Sequence, residues 1–338
     1  VCHNFLKVVK VVLPGGSGSV GTALSRWLLA RGHEVVVLSR RPVRGDASCI
    51  LWDGETLGDW RATFEDADAV INLAGRTVNC RYNAANLKQM MDSRVRSAAV
   101  VGEAIATCAH PPKVWLQAST ATIYAHRFDA ANDEATGMLG GEEPDSPPTW
   151  RASIEIAKAW EAAALAFQTG GTRLVQLRSA LTLSPDKGSV FDVLCSLACR
   201  GLGGRLGTGR QYVSWVHEDD FCRAVEFLIH EPTLAGPVNI CSPNPLPQAE
   251  FARHLRKALG VPIGLPAGER VGPEEPPRGP RPFVGAWVRV RLPRLGSSGS
   301  RFGSSVASGW TWAVGLRFGP VRFCSVGLGV ARLVLPTT

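Results

Sequence analysis

The chain has 338 residues, of which 45% are hydrophobic and 20% charged, the proportions of an ordinary globular protein; disordered, collagen-like and coiled-coil classes are excluded. A formal charge of +8 suggests a nucleic-acid or membrane partner until its distribution is read. Residues 268–338 carry 10 of the 37 Lys+Arg and 3 of the 29 Asp+Glu, which leaves 27 basic against 26 acidic residues before them, a net of +1. The body is near neutral, so neither nucleic acid nor a membrane is expected as its partner.

The first 10 residues are too short, and too soon followed by a glycine turn, to form a signal peptide, and no run of about 18 apolar residues occurs. A cytoplasmic location is expected, and the opening Val suggests a missing or unusual N-terminus. The nine cysteines (Cys2, Cys49, Cys80, Cys108, Cys195, Cys199, Cys222, Cys241 and Cys324) show neither C-x-x-C nor Cys/His ligand spacing. They read as reduced thiols, most of them small buried hydrophobes, and no metal is expected.

Strand and helix then alternate along the chain. Residues 8–13 are a β-branched run ending in Pro14 and a glycine cluster. Residues 22–31 set Ala23, Trp27 and Ala30 about one turn apart beside Leu24 and Leu28 and close at Gly32, the pattern of a helix with a C-terminal glycine. A second strand at 34–38 completes a βαβ unit. Strands at 69–75, 114–119 and 173–183 and helices at 86–108 and 153–167 continue the pattern, around a polar, Pro-rich loop at 132–148. A parallel sheet covered on both faces buries such segments, so the expected fold is α/β, a Rossmann-like doubly wound parallel sheet over residues 7–183. A small substrate-binding lobe is expected over 184–267, with helices at 190–200, 218–230 and 248–259. A strand at 237–241 should return to the sheet.

Beyond about residue 267 Lys and Asp vanish, Arg, Gly, Ser and Pro rise, and no periodicity persists. Two readings stand for 268–338: a basic tail for anionic partners, or a segment that forms no core, such as an out-of-frame product of GC-rich coding sequence. The second is favoured, because a nucleic-acid tail would carry Lys and lack Trp287, Trp310 and Trp312.

The chemistry begins at Gly15-Gly16-Ser17-Gly18-Ser19-Val20-Gly21, which fits G-x-x-G-x-x-G and, from Gly16, G-x-G-x-x-G. Between a strand and a helix, it meets the needs of a dinucleotide: a tight turn, backbone close to a pyrophosphate, and free N–H groups at a helix N-terminus. At the end of the second strand, 18 positions after Gly21, an NAD site would set a carboxylate against the ribose hydroxyls; Ser39, Arg40 and Arg41 stand there instead. A hydroxyl and guanidinium groups suit a 2′-phosphate, so NADP(H) is the expected cofactor. Leu73, Ala74 and Gly75 end the next strand at the carboxyl edge, where small residues admit a cofactor.

These residues, with Met91-Asp92-Ser93-Arg94, Ser119-Thr120-Ala121-Thr122-Ile123-Tyr124, residues 207–211 and Ser214-Trp215-Val216-His217-Glu218-Asp219-Asp220, together resemble the extended, epimerase-like short-chain dehydrogenase/reductases of an atypical, poorly characterised NAD(P)-dependent epimerase branch. The resemblance covers roughly residues 7–267. It implies a Rossmann fold, bound NADP(H) and a small C-terminal substrate lobe. Gln89 and Arg94 would then face the cofactor cleft, Thr182 would approach the nicotinamide end, Thr120 would orient a substrate oxygen, and His217 would tie the lobe to the core. Family members would continue the lobe after residue 267, a pattern this chain lacks.

Hydride-transferring members use a Tyr-x-x-x-Lys pair, in which Lys lowers the phenol's pKa and Tyr exchanges a proton with the substrate oxygen. Here Tyr82, Tyr124 and Tyr212 are the only tyrosines, and none has Lys four residues later. Anchoring the helix on Trp160-Glu161 puts Ser153 and Ala157 at the pair's positions. Lys158, one place off, is expected to pair with Glu155 or Glu161. Thr120 and Tyr124 remain as candidate catalytic residues, Tyr124 standing in for the missing phenol, while Arg94 reads either as a cleft residue or as a surface ion-pair partner of Asp92 or a neighbour. The expected function is an NADP(H)-dependent oxidoreductase or nucleotide-sugar-epimerase-like enzyme on a small carbonyl or hydroxyl substrate. The alternative is an NADP(H)-binding regulatory or structural module without catalysis.

Overall fold

A computed structural model describes residues 8–43, 45–143, 148–167 and 171–267, together with a two-residue antiparallel strand pair, Val321–Arg322 and Arg332–Leu333. The expectations for 268–338 otherwise lie outside the described residues.

β1 (Lys10–Pro14), α1 (Ser19–Leu29) and β2 (Glu34–Ser39) form the first βαβ unit. Next come β3 (Ser48–Leu51), β4 (Ala69–Asn72), α2 (Ala84–Ala106), β5 (Val114–Thr120), α3 (Pro148–Leu165) and β6 (Arg173–Ser179). The chain continues through β7 (Leu181–Leu183), α4 (Val190–Cys199), β8 (Tyr212–Val213), β9 (Trp215–His217), α5 (Glu218–His230), β10 (Gly236–Ile240), β11 (Leu246–Pro247) and α6 (Gln248–Ala258). Seven strands make one parallel sheet in the order β3-β2-β1-β4-β5-β6-β10. The winding reverses between β1 and β4, the crevice where doubly wound sheets bind ligands.

Both faces of the sheet are covered, which is why its strands read as unbroken apolar runs. Val11 and Leu13 enter a core completed by Leu24 and Leu28 of α1 and by Phe221 and Val225 of α5. Val12 points the other way, to Val101 and Ile105 of α2, Trp115 of β5 and Trp160 of α3. Since α5 shares the core of α1 and β10 pairs with β6, both are part of the sheet's own body. The lobe proper is α4, α6 and the ribbons β7/β9 and β8/β11, with Leu183, Phe191, Trp215 and Leu255 at its centre.

The expected strand at 173–183 divides at Ala180, whose N–H donates to the Ile240 carbonyl; β6 stays in the main sheet while β7 pairs with β9. The cysteines also depart from expectation. Among the described residues Cys222 and Cys241 are buried, Cys49, Cys80, Cys108 and Cys195 are half-buried and Cys199 is exposed. Cys49 lies in the edge strand β3, Cys80 in the loop before α2, Cys108 just past α2, and Cys195 and Cys199 in the lobe helix α4. Burial still pushes the Cys108 thiol up to about 11 and those of Cys195 and Cys222 up to about 12, so all three are protonated at neutral pH. No helix among the described residues is long and apolar enough to cross a membrane.

Candidate cofactor and substrate site

The glycines of the first turn have separate tasks. Gly15, at φ 75°, sits where a Cβ would lie 2.5 Å from the Ala74 Cα, so only a glycine lets the β1 turn meet the loop after β4. At Gly21 a Cβ would lie 2.5 Å from the Gly16 Cα, inside the helix–turn contact. Gly18 differs, since a Cβ there would meet nothing nearer than the Gly15 carbonyl at 3.8 Å. It opens α1, whose first turn, including Ser19 and Val20, has neither a side-chain cap nor an acidic residue. By contrast Asn83, Ser189 and His217 cap α2, α4 and α5, and α5 adds Glu218, Asp219 and Asp220 in its first turn. The α1 N–H groups and their positive dipole end are left for an anion.

A second polar recess lies at the end of β2. Ser39 is 4% exposed, and its hydroxyl donates to Ser17 Oγ at 3.0 Å while accepting the Arg41 N–H at 3.3 Å. This ties the β2 end to the glycine turn. Arg40 and Arg41 are exposed, and neither forms an ion pair with a carboxylate among the described residues. With Ser17, Ser39, Pro42 and Val43 they line a cavity of about 720 Å³. Hydroxyls and unpaired guanidinium groups fit a phosphate better than a ribose diol, so the residues present suit a phosphorylated dinucleotide.

The opposite wall is built by a buried amide pair. Asn72 Nδ2 donates to Gln117 Oε1 at 2.9 Å, and Asn72 Oδ1 accepts the Ala74 N–H at 3.1 Å. The Leu73 N–H donates to the Pro14 carbonyl at 2.8 Å, so Leu73, Ala74 and Gly75 are held beside the glycine turn. Arg94 of α2 packs on Gly75, donates Nη1 to the Met90 carbonyl at 3.1 Å, and lies 5.1 Å from the Trp160 ring centroid. Burial pushes its guanidinium down to about 10, which leaves it charged at neutral pH. Asp92 does not pair with it: Lys88 at 2.6 Å and Arg96 at 3.8 Å take that carboxylate. The expected surface pair between Arg94 and Asp92 is therefore not formed. Gln89 is exposed on the same helix.

Thr120, half-buried at the carboxyl end of β5, accepts the Thr122 N–H at 3.2 Å and donates to Thr122 Oγ1 at 3.1 Å. Tyr124 lies deeper. Its side chain is fully buried, its hydroxyl donates to Asn239 Oδ1 and accepts from Arg178 Nη1, both at 2.9 Å. Desolvation pushes the phenol's pKa up. A phenol so enclosed fixes the turn after Thr120 and has no free face for a substrate. Arg178 also grips Glu161, which removes one of the two partners expected for Lys158; among the described residues Lys158 has no ion pair with Glu155 either. Ser153 is half-buried and Ala157 buried on α3, so no phenol–ammonium pair occupies that face. Thr182 lies in β7, opposite Val216 of β9. His217 Nδ1 accepts the Asp219 N–H at 3.2 Å, capping α5 as a structural hydrogen bond should.

On the lobe side, Phe128, Thr208, Arg210, Tyr212 and Glu250 border a second cavity of about 350 Å³, and the Arg210 guanidinium carbon is 5.6 Å from the Phe128 ring centroid. This cleft joins the loop after β5 to the lobe. Sequence reasoning missed Arg76, which follows Gly75 and has a buried Nη1 without a hydrogen-bond partner. Its signal was positional: a cation one residue past the small-residue end of a central strand.

The profile of the NAD-dependent epimerase/dehydratase family matches residues 11–241. An epimerase family protein of Mycobacterium tuberculosis is 32% identical over 260 residues, covering 75% of this chain and 80% of the relative. The bovine epimerase family protein SDR39U1 is 32% identical over 263 residues, covering 76% and 83%. The crystal structure of human epimerase family protein SDR39U1 with NADPH superposes with a TM-score of 0.66 at 30% identity, over 77% of this chain and 83% of that one. MoeE5 in complex with UDP-glucuronic acid and NAD shares the fold, with a TM-score of 0.66 at 20% identity over 83% and 90%.

Proposed function

The chain belongs to the NAD-dependent epimerase/dehydratase family, and from that premise we propose that it is an NADP(H)-dependent oxidoreductase or epimerase acting on a small carbonyl or hydroxyl substrate. The observation that carries the cofactor choice is the end of β2, where Ser39, Arg40 and Arg41 surround a cavity and no carboxylate stands for the ribose diol. The NADPH in the human relative's structure supports the same choice. Gly18, Ser19 and Val20 would hold the diphosphate at the α1 N-terminus, with Gly15 and Gly21 fixing the turn that presents them. Leu73, Ala74 and Gly75 would form the wall beside it, and Gln89, Arg94 and Thr182 would border the remainder of the cleft.

When bound, the nicotinamide supplies or accepts a hydride. The protein's part is to orient the substrate oxygen and to keep water away. Thr120 carries the hydroxyl best placed for the first task, because its Oγ1 sits at the sheet's carboxyl edge on a turn that Tyr124 holds from below. A second reading, a cofactor-binding module without catalysis, is favoured by Ser153 and Ala157 standing where a phenol and an ammonium would be needed. Turnover separates the two. NADPH oxidation is followed with a panel of aldehydes and ketones for the wild type and for Thr120→Ala. Catalysis through Thr120 predicts a loss of roughly 10- to 100-fold in kcat at unchanged NADPH affinity. Equal turnover in both proteins removes Thr120 from the mechanism, and no turnover with any carbonyl favours the module.

A further inference from the structure

The titratable groups around the end of β5 are committed elsewhere. The Tyr124 phenol is enclosed between Asn239 and Arg178, and the Glu161 carboxylate is held by Arg178 and by the Ser119 hydroxyl. His126 is wedged between Phe128 and Trp150. The Lys158 ammonium turns to the loop at Gly141, where a Cβ would lie 3.7 Å from its Nζ. Yet reducing a carbonyl, or oxidising an alcohol, moves a proton on the substrate oxygen as well as a hydride on its carbon.

What the end of β5 offers is a pair of hydroxyls. The turn Ala121–Ile123 sinks Ala121 and Ile123 into a small apolar cluster with Tyr124, Ala157 and Cys241, which leaves Thr120 and Thr122 together, both half-buried, at the carboxyl edge of the sheet. Their Oγ1 atoms are 3.1 Å apart, and the Thr122 N–H donates to Thr120 Oγ1 at 3.2 Å. A hydroxyl has one proton and two lone pairs, and the proton rotates to suit its partners. The Thr122 N–H occupies one lone pair of Thr120. When the Thr122 hydroxyl donates to Thr120, the second lone pair is taken and the Thr120 proton is left over. When Thr120 donates instead, a lone pair is left over. The first arrangement suits a carbonyl, which accepts, and the second an alcohol, which donates. Reversing one hydroxyl pair therefore matches both ends of the reaction.

We propose that Thr122 is a positioning residue that relays the substrate proton through Thr120. The proposal rests on the NADP(H)-dependent oxidoreductase reading of the site and adds the route of the proton. In reduction the carbonyl carbon gains a hydride as NADPH becomes NADP⁺, and the C=O π pair moves onto the oxygen. That oxygen takes the Thr120 proton, Thr120 takes the Thr122 proton, and Thr122, which keeps part of its surface in water, takes one from solvent. One NADPH and one solvent proton are consumed per alcohol formed, and both threonines end neutral. Oxidation runs the same transfers backwards.

Thr122→Val keeps the shape and removes the hydroxyl, while Thr122→Ser keeps the hydroxyl. NADPH oxidation by the full chain is followed with 4-nitrobenzaldehyde, hexanal and cyclohexanone, in H₂O, D₂O and their mixtures. The relay predicts that Thr122→Val lowers kcat roughly tenfold or more with KM for the carbonyl within about twofold, and that Thr122→Ser restores most of the loss. It also predicts that the wild-type single-turnover rate falls along a curve as deuterium replaces hydrogen, because two protons move together with the hydride. Calorimetry adds a readout without turnover: each carbonyl that the wild type reduces is titrated into the NADP⁺ complex. Binding should weaken in Thr120→Val and stay within about twofold of wild type in Thr122→Val, since Thr120 alone meets the substrate. Equal kcat in wild type and Thr122→Val overturns the relay. So does a loss that Thr122→Ser leaves in place, a straight or flat deuterium plot, or carbonyl binding weakened equally by both Val variants. The wild-type deuterium plot decides the question if Thr122→Val does not fold. A wild type that reduces none of the three carbonyls overturns the oxidoreductase reading and the relay with it, whereas a relay that fails while turnover is present leaves that reading intact.

Discussion

Arg178 of β6 grips Glu161 of α3 through two hydrogen bonds, Nε to Oε1 at 2.9 Å and Nη2 to Oε2 at 2.7 Å. Ser119 donates to the same carboxylate, and Arg178 also reaches Tyr124. One buried ion pair therefore locks α3 to β5, β6 and the turn behind Thr120. Burial alone would lower the Arg178 pKa, but the Glu161 bonds raise it overall. Glu161→Gln leaves a buried guanidinium uncompensated and should cost about 3–5 kcal/mol in a urea unfolding curve. Replacing both residues with Met should recover most of that loss. A Glu161→Gln midpoint equal to wild type would show that the pair does not support the fold.

Tyr124→Phe removes a hydroxyl shared by Asn239 and Arg178. The expected loss is roughly 1–3 kcal/mol of stability, from the partners left unsatisfied, with turnover per folded molecule little changed. The reverse result, a collapse of kcat at unchanged Tm, would reinstate the phenol as a proton donor.

The two glycine substitutions should separate folding from binding. Gly15→Ala drives a methyl into the Ala74 backbone at a positive φ, so it should lower stability by roughly 1–3 kcal/mol or more. Gly18→Ala meets no such obstacle, so its Tm should stay near wild type while NADPH binding weakens. Thermal melts and cofactor titrations of both proteins check this, and intact NADPH affinity in Gly18→Ala would place the diphosphate elsewhere.

Acid should weaken the fold through two partly desolvated imidazoles. Desolvation lowers the pKa of His126, between Phe128 and Trp150, and also that of His230. The unfolded chain takes up these protons near pH 6.5 while the fold resists them, so their stabilising effect is complete above about pH 6.5. It is lost as pH falls from there toward the depressed folded values. Tm should thus drop between about pH 7.5 and about pH 5.5, and His126→Phe should flatten the drop. A Tm that climbs on acidification would contradict the assignment.

Much of this was legible because the central strands are buried on both faces and carry their signal locally. α5 begins and ends as expected at Glu218–His230, its start marked by His217 and three acids. β3 was missed because Ser48–Leu51 is a half-exposed edge strand with little apolar pattern. α3 starts earlier than expected, at Pro148, a residue whose fixed φ suits a first helical turn. The site followed the same division. The glycine turn and the Ser39-Arg40-Arg41 end were readable from spacing, since each lies within one unit. The enclosure of Tyr124 was not, because Arg178 is 54 residues away and Asn239 is 115 residues away, pairings that only strand order brings about. Arg76 was hidden similarly, as nothing in a sequence shows that a guanidinium lacks a partner.

The claim on which the cofactor assignment stands is the phosphate pocket at the end of β2, and calorimetric titration of the full chain with NADPH and NADH measures it most directly. Charge-assisted hydrogen bonds of about 1.5–3 kcal/mol each predict that NADPH binds tighter by roughly 10- to 100-fold, and that replacing Arg40 and Arg41 with Gln erases the difference. Equal affinity for the two coenzymes in the wild type, or tighter binding of NADH, would contradict it.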